Sequence, residues 1–425
     1  MHSRRRLHLL ASSLAAAGLV AAGCASSGNA SAVSSGGTIT VGTLYAGTGN
    51  FAQVSVPEYQ GLQFWAKNVN ATGGVYVAPL KRKEQVKIVA YNDQSDPTTA
   101  ATLYNQLITQ NHADVLVADF GSVLTAPAVT IAGEQHHLLF DVTGSGTSFF
   151  SSGPNPYVVL TSLPVSAVWP KPLGALLLHL KAKRVAILYG QNDFDAAQAA
   201  AVKGFLAAGG VTPVYYQGVP TTQSDYSSLL ASIKAKNPDA VLEFGYPNND
   251  IAFLNEVKAL GMHFPFLLTV FPGQGPAPFE ASPGASTMTY TYTYAAPPIL
   301  AVNKVNSGLG LDAFLKAFAP GKPASSVSFL SIAGYNAGLA IQAAFAHATS
   351  MSQLGIRAGV TAVNGKLQTL EGTFQVNDTG AQVGELLPVA QAFPTGSGFT
   401  FKIVYPASPS QTAQSSPAYP APAGH

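Results

Sequence analysis

The sequence predicts an α/β protein built from two doubly wound parallel-sheet lobes. Short apolar strands alternate with longer amphipathic stretches between residues 38 and 405, the pattern of parallel strands joined by helical crossovers. The pattern restarts near residue 184, and NHADVL at 111–116 has a counterpart in NPDAVL at 237–242. A chain of 425 residues also exceeds what a single hydrophobic core usually serves. We therefore expect two similar lobes.

Each element follows from its local pattern. In the first lobe we predict strands at 38–42, 86–91, 115–118 and 138–140 and helices at 54–69, 97–108 and 126–135. In the second lobe we predict strands at 184–189, 213–216 and 240–244 and helices at 196–208 and 226–236. The helix at 97 is clearly marked, because Asp96 is suited to cap it and Pro97 to open it.

The first 24 residues have the anatomy of an export signal. Arg4–Arg6 precede an apolar run at 9–20, and small residues at 21–23 stand directly before Cys24, the only cysteine. VAAGC at 20–24 resembles a bacterial lipobox. This resemblance predicts a signal peptide at 1–23 and a lipid on Cys24. An ordinary signal peptide, which would leave Cys24 as a free thiol, and a twin-arginine export route stay open as alternatives.

Charge and composition exclude several classes of protein. The formal net charge is +2, from 22 basic and 20 acidic residues, but without Arg4–Arg6 19 basic residues face 20 acidic ones. No basic stripe is then left to indicate a nucleic-acid surface. We also expect no transmembrane helix after the leader. The composition predicts a flexible tether after Cys24, in residues 24–37, and a disordered tail at 406–425.

Several short segments give the chain a family resemblance. The sharpest are NATGGV at 70–75, YNDQSDP at 91–97 and Gly121-Ser122. Softer matches are Asp193-Phe194, Gly334–Ala337 and Glu371–Phe374. In order and spacing, from about residue 38 to 405, the chain resembles the solute-binding proteins of the leucine/isoleucine/valine-binding class. These are the periplasmic-type receptors of ABC importers, here in the lipoprotein form.

The resemblance implies the type I periplasmic-binding-protein fold, in which three hinge crossovers join the two lobes and ligand binding closes them. The implied crossovers lie near 157–161, 287–296 and 367–373. The implied lobes are 38–161 plus 296–368 for lobe 1, and 162–295 plus 369–405 for lobe 2.

The resemblance also implies a ligand site in the cleft between the lobes, where α/β sheets commonly bind small molecules. The implied ligand-binding residues are Gly121, Ser122, Thr143 and Ser145 in lobe 1 and Phe194, Tyr246 and Phe271 in lobe 2. Gly121-Ser122 would open a helix whose N-terminus can receive a carboxylate. Ordinary roles stay open, because serine and threonine often cap helices and most aromatic residues pack in cores.

Two departures from the family pattern bear on the ligand. Family members that bind amino acids place an acid of lobe 2 against the ligand's ammonium group, whereas this chain has Phe271 there, with Glu280 the next acid downstream. Val54 stands where an aromatic residue often shields the ligand. Because a buried ammonium group without a counter-charge is costly, we expect a small, largely apolar solute: amino-acid-like, an amide, a carboxylate or an aromatic compound.

Catalytic and metal-binding motifs are missing from the sequence. It contains no G-x-S-x-G, H-E-x-x-H or P-loop pattern. His136 and His137 are adjacent, so on a helix they point in different directions, and we expect both at the surface. We therefore expect no enzyme activity, no cofactor and no metal.

Taken with the resemblance, these features predict a monomeric extracytoplasmic receptor, anchored to the bacterial cell membrane through Cys24. It would bind a small molecule and work with the permease and ATPase subunits of an ABC importer, and would not bind nucleic acid. Two alternatives stay open: a sensory or regulatory ligand-binding protein of the same fold, and an exported α/β enzyme.

Overall fold

Two large sheets organise the part of the chain that the computed structural model describes, residues 37–300, 302 and 304–422. These described residues form one compact unit. The predicted signal peptide 1–23, the lipid site Cys24 and the tether up to residue 36 lie outside the described residues.

The first half of the chain builds a six-stranded sheet. Its elements are β1 (Thr38–Tyr45), α1 (Ala52–Ala71), β2 (Val75–Val77), β3 (Arg82–Asn92), α2 (Pro97–Thr109), β4 (Val115–Val117), α3 (Gly121–Gln135), β5 (Leu139–Asp141) and β6 (Val158–Leu160). The strand order is β2-β3-β1-β4-β5-β6, and only the β2–β3 pair is antiparallel. The winding reverses at β1, which pairs with β3 on one side and β4 on the other. The carboxyl ends of β1 and β4 therefore form a topological switch point.

The second half of the molecule repeats this winding. Its first elements are α4 (Pro170–His179), β7 (Val185–Gly190), α5 (Asp193–Ala208), β8 (Tyr215–Val219), α6 (Ser227–Lys234), β9 (Ala240–Phe244), α7 (Pro247–Ala259), β10 (Leu267–Leu268), α8 (Ala277–Ala281), α9 (Ala285–Met288) and β11 (Tyr292–Tyr294). Here β7 pairs with β8 on one side and β9 on the other. A second switch point therefore lies at the carboxyl ends of β7 and β9.

The last part of the chain contributes to both halves. Its elements are α10 (Leu311–Phe318), α11 (Phe329–Ala346), α12 (Gln353–Val363), β12 (Gln368–Thr369), β13 (Gly372–Thr373), β14 (Val389–Thr395) and β15 (Gly398–Tyr405). Helix α11 packs on α1, and α12 packs on α11. Strands β14 and β15 extend the second sheet, whose order is β15-β14-β11-β10-β9-β7-β8. The predicted architecture of two doubly wound α/β halves is confirmed.

Helix α11 bears on the expectation that no transmembrane helix follows the leader. All 18 of its residues are uncharged, and by length and composition it could cross a bilayer. In the structure, 83% of this helix is buried inside the protein. Its hydrophobicity on all sides is that of a core helix.

The C-terminal segment corrects another expectation. Residues 406–422 were predicted to be disordered, but they run along the second sheet. Ala418 donates its N–H to Gln391 Oε1 at 2.8 Å, and its carbonyl accepts from Tyr292 Oη at 3.0 Å. Ala421 N–H donates to Pro265 O at 2.9 Å, and the Tyr419 ring lies 6.5 Å from that of Phe266. The segment lacks regular structure, but backbone groups in it form hydrogen bonds with side chains of β11 and β14. Composition alone does not predict these hydrogen bonds.

Candidate functional site

Both switch points face the same interface between the two halves. From the first half come the loops after β1, β4 and β5, and from the second half the loops after β7, β9 and β10. The residues that line a small central cavity there are Phe120, Gly121, Thr143, Leu163, Trp169, Phe194, Tyr246, Phe271, Gln274 and Leu330. Five of the seven residues predicted from the resemblance are among them; Ser122 and Ser145 are not.

The first wall of the cavity is the start of α3. Gly121 has φ +70°, and a β-carbon there would meet Tyr246 Cε1 at 3.1 Å, so both the backbone and the close approach favour glycine. No side chain caps this end of α3 in the described structure. Gly121 N–H instead donates to Thr143 Oγ1 at 3.0 Å. Ser122 is buried, and its Oγ has no hydrogen-bond partner among the described residues. A helix N-terminus with a free hydroxyl is suited to an anion.

The loop after β5 uses most of its polar groups internally. Thr143 Oγ1 accepts from Gly121 and donates to Glu58 Oε2 at 2.7 Å. Ser145 N–H donates to Thr143 O at 2.8 Å, so this amide is already engaged. Within the described part of the chain, Ser145 Oγ is buried without a partner. Only Thr143 of this loop reaches the cavity.

The second wall is aromatic. Phe194 lies in the first turn of α5, Tyr246 caps α7, and Phe271 follows β10. The ring of Tyr246 stacks on those of Phe194 and Phe271, with centroids 5.5 and 6.0 Å apart. Trp169 meets Phe194 edge-on at 5.1 Å. All four rings are almost fully buried, so they form a continuous aromatic wall.

The aromatic wall also reaches across to the first half. Phe120, just before α3, lies 5.9 Å from Tyr246 and 6.2 Å from Phe271, and Phe51 meets Tyr246 edge-on at 5.1 Å. These rings reduce the central cavity to about 10 Å³, which is room for about one water molecule. A solute can enter only if these rings or the two halves move apart.

The Tyr246 hydroxyl lies at the N-terminus of α3. Burial raises the pKa of Tyr246, and the nearby Ser122 and Val123 amides lower it in part. No hydrogen bond of good geometry forms, so within residues 37–422 as described this hydroxyl has no partner. Tyr246 therefore occupies the place where the free amides of α3 would meet an anion.

Buried acids surround the aromatic layer. Burial raises the pKa of Glu58, beside Thr143, well above its usual value, which favours its neutral form. In the second half, Asp250 Oδ2 accepts from Phe271 N–H at 2.7 Å. The acid in contact with Phe271 is thus Asp250, whereas Glu280, the next acid downstream in the sequence, is exposed. Burial raises the pKa of Asp250 to about 8, and raises that of its neighbour Glu243.

The rim of the cleft is closed by two polar contacts. Asp193 Oδ2 accepts from both the N–H and the hydroxyl of Ser148, at 2.9 and 2.7 Å. On another part of the rim, Asn248 Nδ2 donates to Asn50 O at 2.7 Å. Each contact joins the first half to the second. The structure is therefore a closed form of the cleft.

Other candidates from the sequence have structural roles. Asp96 caps α2 as predicted, with Oδ1 accepting from Thr99 N–H at 2.6 Å. His136 ends α3 with φ +52° and stacks on Tyr157. His137 is buried, not at the surface as expected, and burial lowers its pKa. Among the described residues no group of three His, Cys, Asp or Glu side chains is placed to hold a metal ion.

Sequence reasoning missed several site residues. Phe120, Trp169, Gln274 and Leu330 carry no motif, because they lie in irregular segments or enter from a distant helix. Glu58 had a usable signal: it lies four residues from Val54 and from Leu62, on the apolar face of α1. An acid on such a face is a candidate for a buried role.

Comparison with known proteins agrees with this geometry. Residues 38–397 match the model of the family described as periplasmic binding protein. The chain is 25% identical over 220 residues to the Leu/Ile/Val/Thr-binding protein of Salmonella typhimurium; the match covers 52% of this chain and only 58% of that relative's length.

Two solved structures share the fold. A branched-chain amino acid transporter substrate binding protein from Streptococcus pneumoniae, in complex with isoleucine, has a TM-score of 0.71 and 19% identity, covering 87% of this chain and 100% of that one. An ABC transporter solute binding protein from R. palustris, in complex with benzoate, has a TM-score of 0.69 and 20% identity, covering 86% and 95%. Since the family match extends over most of its length, the chain belongs to the periplasmic binding protein family.

Proposed function

We propose that this protein is the extracytoplasmic solute-binding receptor of an ABC importer and that it is not an enzyme. The observation that carries the proposal is the aromatic layer of Phe120, Phe194, Tyr246 and Phe271, which lies between two halves at both topological switch points. An interface that is apolar, buried and shared by two halves is suited to enclose a small molecule by closure. Relatives named as binding proteins support the same role.

The proposed ligand is a small, largely apolar carboxylate whose body would take the place of part of the stacked rings in the cleft. Its carboxylate would take the N-terminus of α3, with Ser122 Oγ and the Ser122 amide as donors, after the Tyr246 hydroxyl moves aside. Phe194, Tyr246 and Phe271 would cover the apolar body, while Thr143 and Ser145 would hold the loop after β5.

An α-amino acid fits this site less well. Its ammonium group needs a charged acid, yet Phe271 stands at the place of that acid, and burial favours the neutral form of Glu58. Asp250 lies behind Phe271, and its carboxyl group accepts a hydrogen bond from the Phe271 N–H. The relative solved with benzoate indicates that the fold can serve a ligand without an ammonium group.

We further propose lobe boundaries at 38–161 plus 296–368 and 162–295 plus 369–405, with closure about the three crossovers. The packing of α11 on α1 and of α12 on α11, and the pairing of β14 with β11, support this division. Anchoring of a monomer by a lipid on Cys24, and delivery of the ligand to permease and ATPase subunits, complete the proposal.

Native mass spectrometry of the purified chain, followed by calorimetric titration with leucine, benzoate and their amides, tests this function. We expect benzoate-like carboxylates to bind, and Ser122→Ala to weaken them about 10- to 100-fold, as for the loss of a hydrogen bond to a charged group. Ser232→Ala, on the exposed face of α6, is the matched control. Nanomolar binding of leucine would refute the proposed ligand class. A folded chain that binds no compound in the panel would refute the proposed receptor function.

A further inference from the structure

A second cavity adjoins the central one. It has a volume of about 210 Å³ and lies between the start of α1 in the first half and the segment from Phe271 to Phe279 in the second. Val54 and Pro57 line it from α1, Pro247 from α7, and Pro278 and Phe279 from α8. We call it the side cavity. It is far larger than the central cavity of about 10 Å³.

Three residues line both cavities: Phe271, Gln274 and Leu330. These side chains are therefore the partition between the site where a carboxylate would bind and the side cavity. Phe271 is also one of the rings that must move for any solute to enter. A movement that admits a ligand thus opens a path into the side cavity.

The chemistry of the side cavity is apolar. Its described lining holds Val54, Pro57, Phe279 and Leu330 together with glutamine and serine side chains, and no charged residue. Val54 is the residue at which the sequence departs from the family's aromatic shield, and a valine leaves this space open where a larger ring would fill it. The cavity therefore suits an alkyl or aryl group.

One side chain of the partition, Gln274, has a polar group that could bind a ligand. Gln274 is buried, and its Nε2 has no hydrogen-bond partner in the described part of the chain. Its backbone is fixed, because its N–H donates to Phe271 O and its carbonyl accepts from Phe329 N–H, both at 2.8 Å. A buried donor without a partner is unfavourable, and an acceptor atom on a ligand would relieve it.

We propose that the ligand is an elongated aromatic monocarboxylate with a para substituent. The substituent passes the partition into the side cavity, and an acceptor atom such as an ether oxygen receives a hydrogen bond from Gln274 Nε2. This inference rests on the proposed function, from which it takes the carboxylate end at α3. It adds the length of the ligand and the residues that select it, Val54 and Gln274.

A series of ligands on the unaltered full chain tests the inference. Calorimetric dissociation constants are measured for benzoate, 4-methoxybenzoate, 4-propoxybenzoate and 4-butylbenzoate, of which the last replaces the ether oxygen by a methylene group. We expect affinity to rise about fourfold for each methylene group that enters the side cavity. We also expect 4-propoxybenzoate to bind several-fold more tightly than 4-butylbenzoate.

Two variants test which residues cause the gain in affinity and the preference for the ether. Val54→Phe fills the side cavity, so the ratio of the benzoate to the 4-propoxybenzoate dissociation constant should fall towards one. Gln274→Leu should remove the preference for the ether over the methylene isostere. If either variant fails to fold, the ligand series itself remains decisive.

The outcomes distinguish a failure of the side-cavity inference from a failure of the proposed function. Benzoate binding that depends on Ser122, with no gain from the para substituent, would overturn the side-cavity inference and leave the proposed function intact. Equal affinities for the ether and the methylene isostere would overturn the role of Gln274. Failure of every carboxylate in the series to bind would overturn the proposed ligand class and the inference with it.

Discussion

Glu371 is a single buried acid that joins two distant parts of the chain. Its Oε1 accepts from Ser162 Oγ at 2.7 Å, across 209 positions of sequence, and within the described residues its Oε2 has no partner. Burial raises the pKa of Glu371 to about 7, and the hydrogen bond from Ser162 lowers it only in part. Both segments lie at predicted crossovers, so the protonation of this acid bears on the stability of the connection between the halves.

This acid makes stability depend on pH. In the folded state Glu371 keeps its proton up to about pH 7, whereas in the unfolded chain it ionises near pH 4.5. The folded state therefore binds more protons between these values, and its stability falls as pH rises through them. The loss amounts to something on the order of 3 kcal/mol.

We expect Glu371→Gln, which keeps an acceptor for Ser162, to remove this part of the pH dependence. Its free energy of unfolding should match the native chain at pH 4 and exceed it at pH 8. Denaturant titrations of both chains at several pH values measure the difference in the free energy of unfolding. Because both chains keep the other buried acids, such as Asp250, the pH dependence that those acids cause cancels in this difference. Glu280→Gln, at an exposed acid, is the control. Parallel curves for Glu371→Gln and the native chain would contradict the prediction.

At the scale of residues, the sequence predicted those site residues that follow a strand directly. Phe194 and Tyr246 stand just after β7 and β9, so a correct strand assignment already brought them to one sheet edge. Trp169 and Gln274 stand in segments without regular structure or periodicity. Their position is set by tertiary packing, which leaves no local mark in the sequence.

Among the elements, the start of helix α2 was predicted more accurately than that of helix α3. Helix α2 begins at Pro97 as predicted, because Asp96 and Pro97 give two independent signals. Helix α3 begins five residues earlier than the predicted 126, because its start has a glycine with positive φ and no capping side chain in the described structure. The antiparallel pair β14–β15 was not predicted, since the repeated α/β pattern gave no reason to expect it.

Helices α1 and α11 approach each other more closely than ordinary side chains allow. A β-carbon on Gly334 would stand 1.9 Å from the carbonyl oxygen of Glu58, and one on Gly61 would stand 2.0 Å from that of Ser331. Two backbones therefore touch at these glycines. The contact also positions Glu58, which holds Thr143 at the edge of the cleft.

We expect Gly334→Ala to lower the free energy of unfolding by about 1–3 kcal/mol, because the helices must separate to admit the methyl group. Gly133→Ala is the matched control: this glycine lies in α3 with nothing within 4 Å of an added β-carbon. There the substitution should stabilise by about 0.5–1 kcal/mol, through helix propensity. Chemical denaturation of the three chains decides the matter. Equal effects at the two positions would show that the close approach of α1 and α11 carries no energetic weight.

At the scale of the whole molecule, closure depends on a few polar contacts around an apolar centre. The rings of Phe120, Tyr246 and Phe271 meet across the cleft, but hydrophobic contact is not directional. The two rim contacts, from Asp193 to Ser148 and from Asn248 to Asn50, are directional and therefore fix the angle of closure. A ligand shifts the balance towards closure only to the extent that it binds the closed form more tightly.

Asp193→Ala removes the rim contact that carries a charge. Because Asp193 is partly exposed, we assign its two hydrogen bonds about 1 kcal/mol in total, discounted for solvent screening. Opening should therefore become easier, and the affinity for a benzoate-like ligand should fall about fivefold, with no direct contact to the ligand lost. Small-angle X-ray scattering should show a larger radius of gyration without ligand and the native value at saturating ligand. Asp312→Ala, an exposed acid on α10 away from the cleft, should change neither quantity. If Asp193→Ala weakened binding but left the scattering of the free chain unchanged, Asp193 would act on the ligand and not on the closure of the cleft.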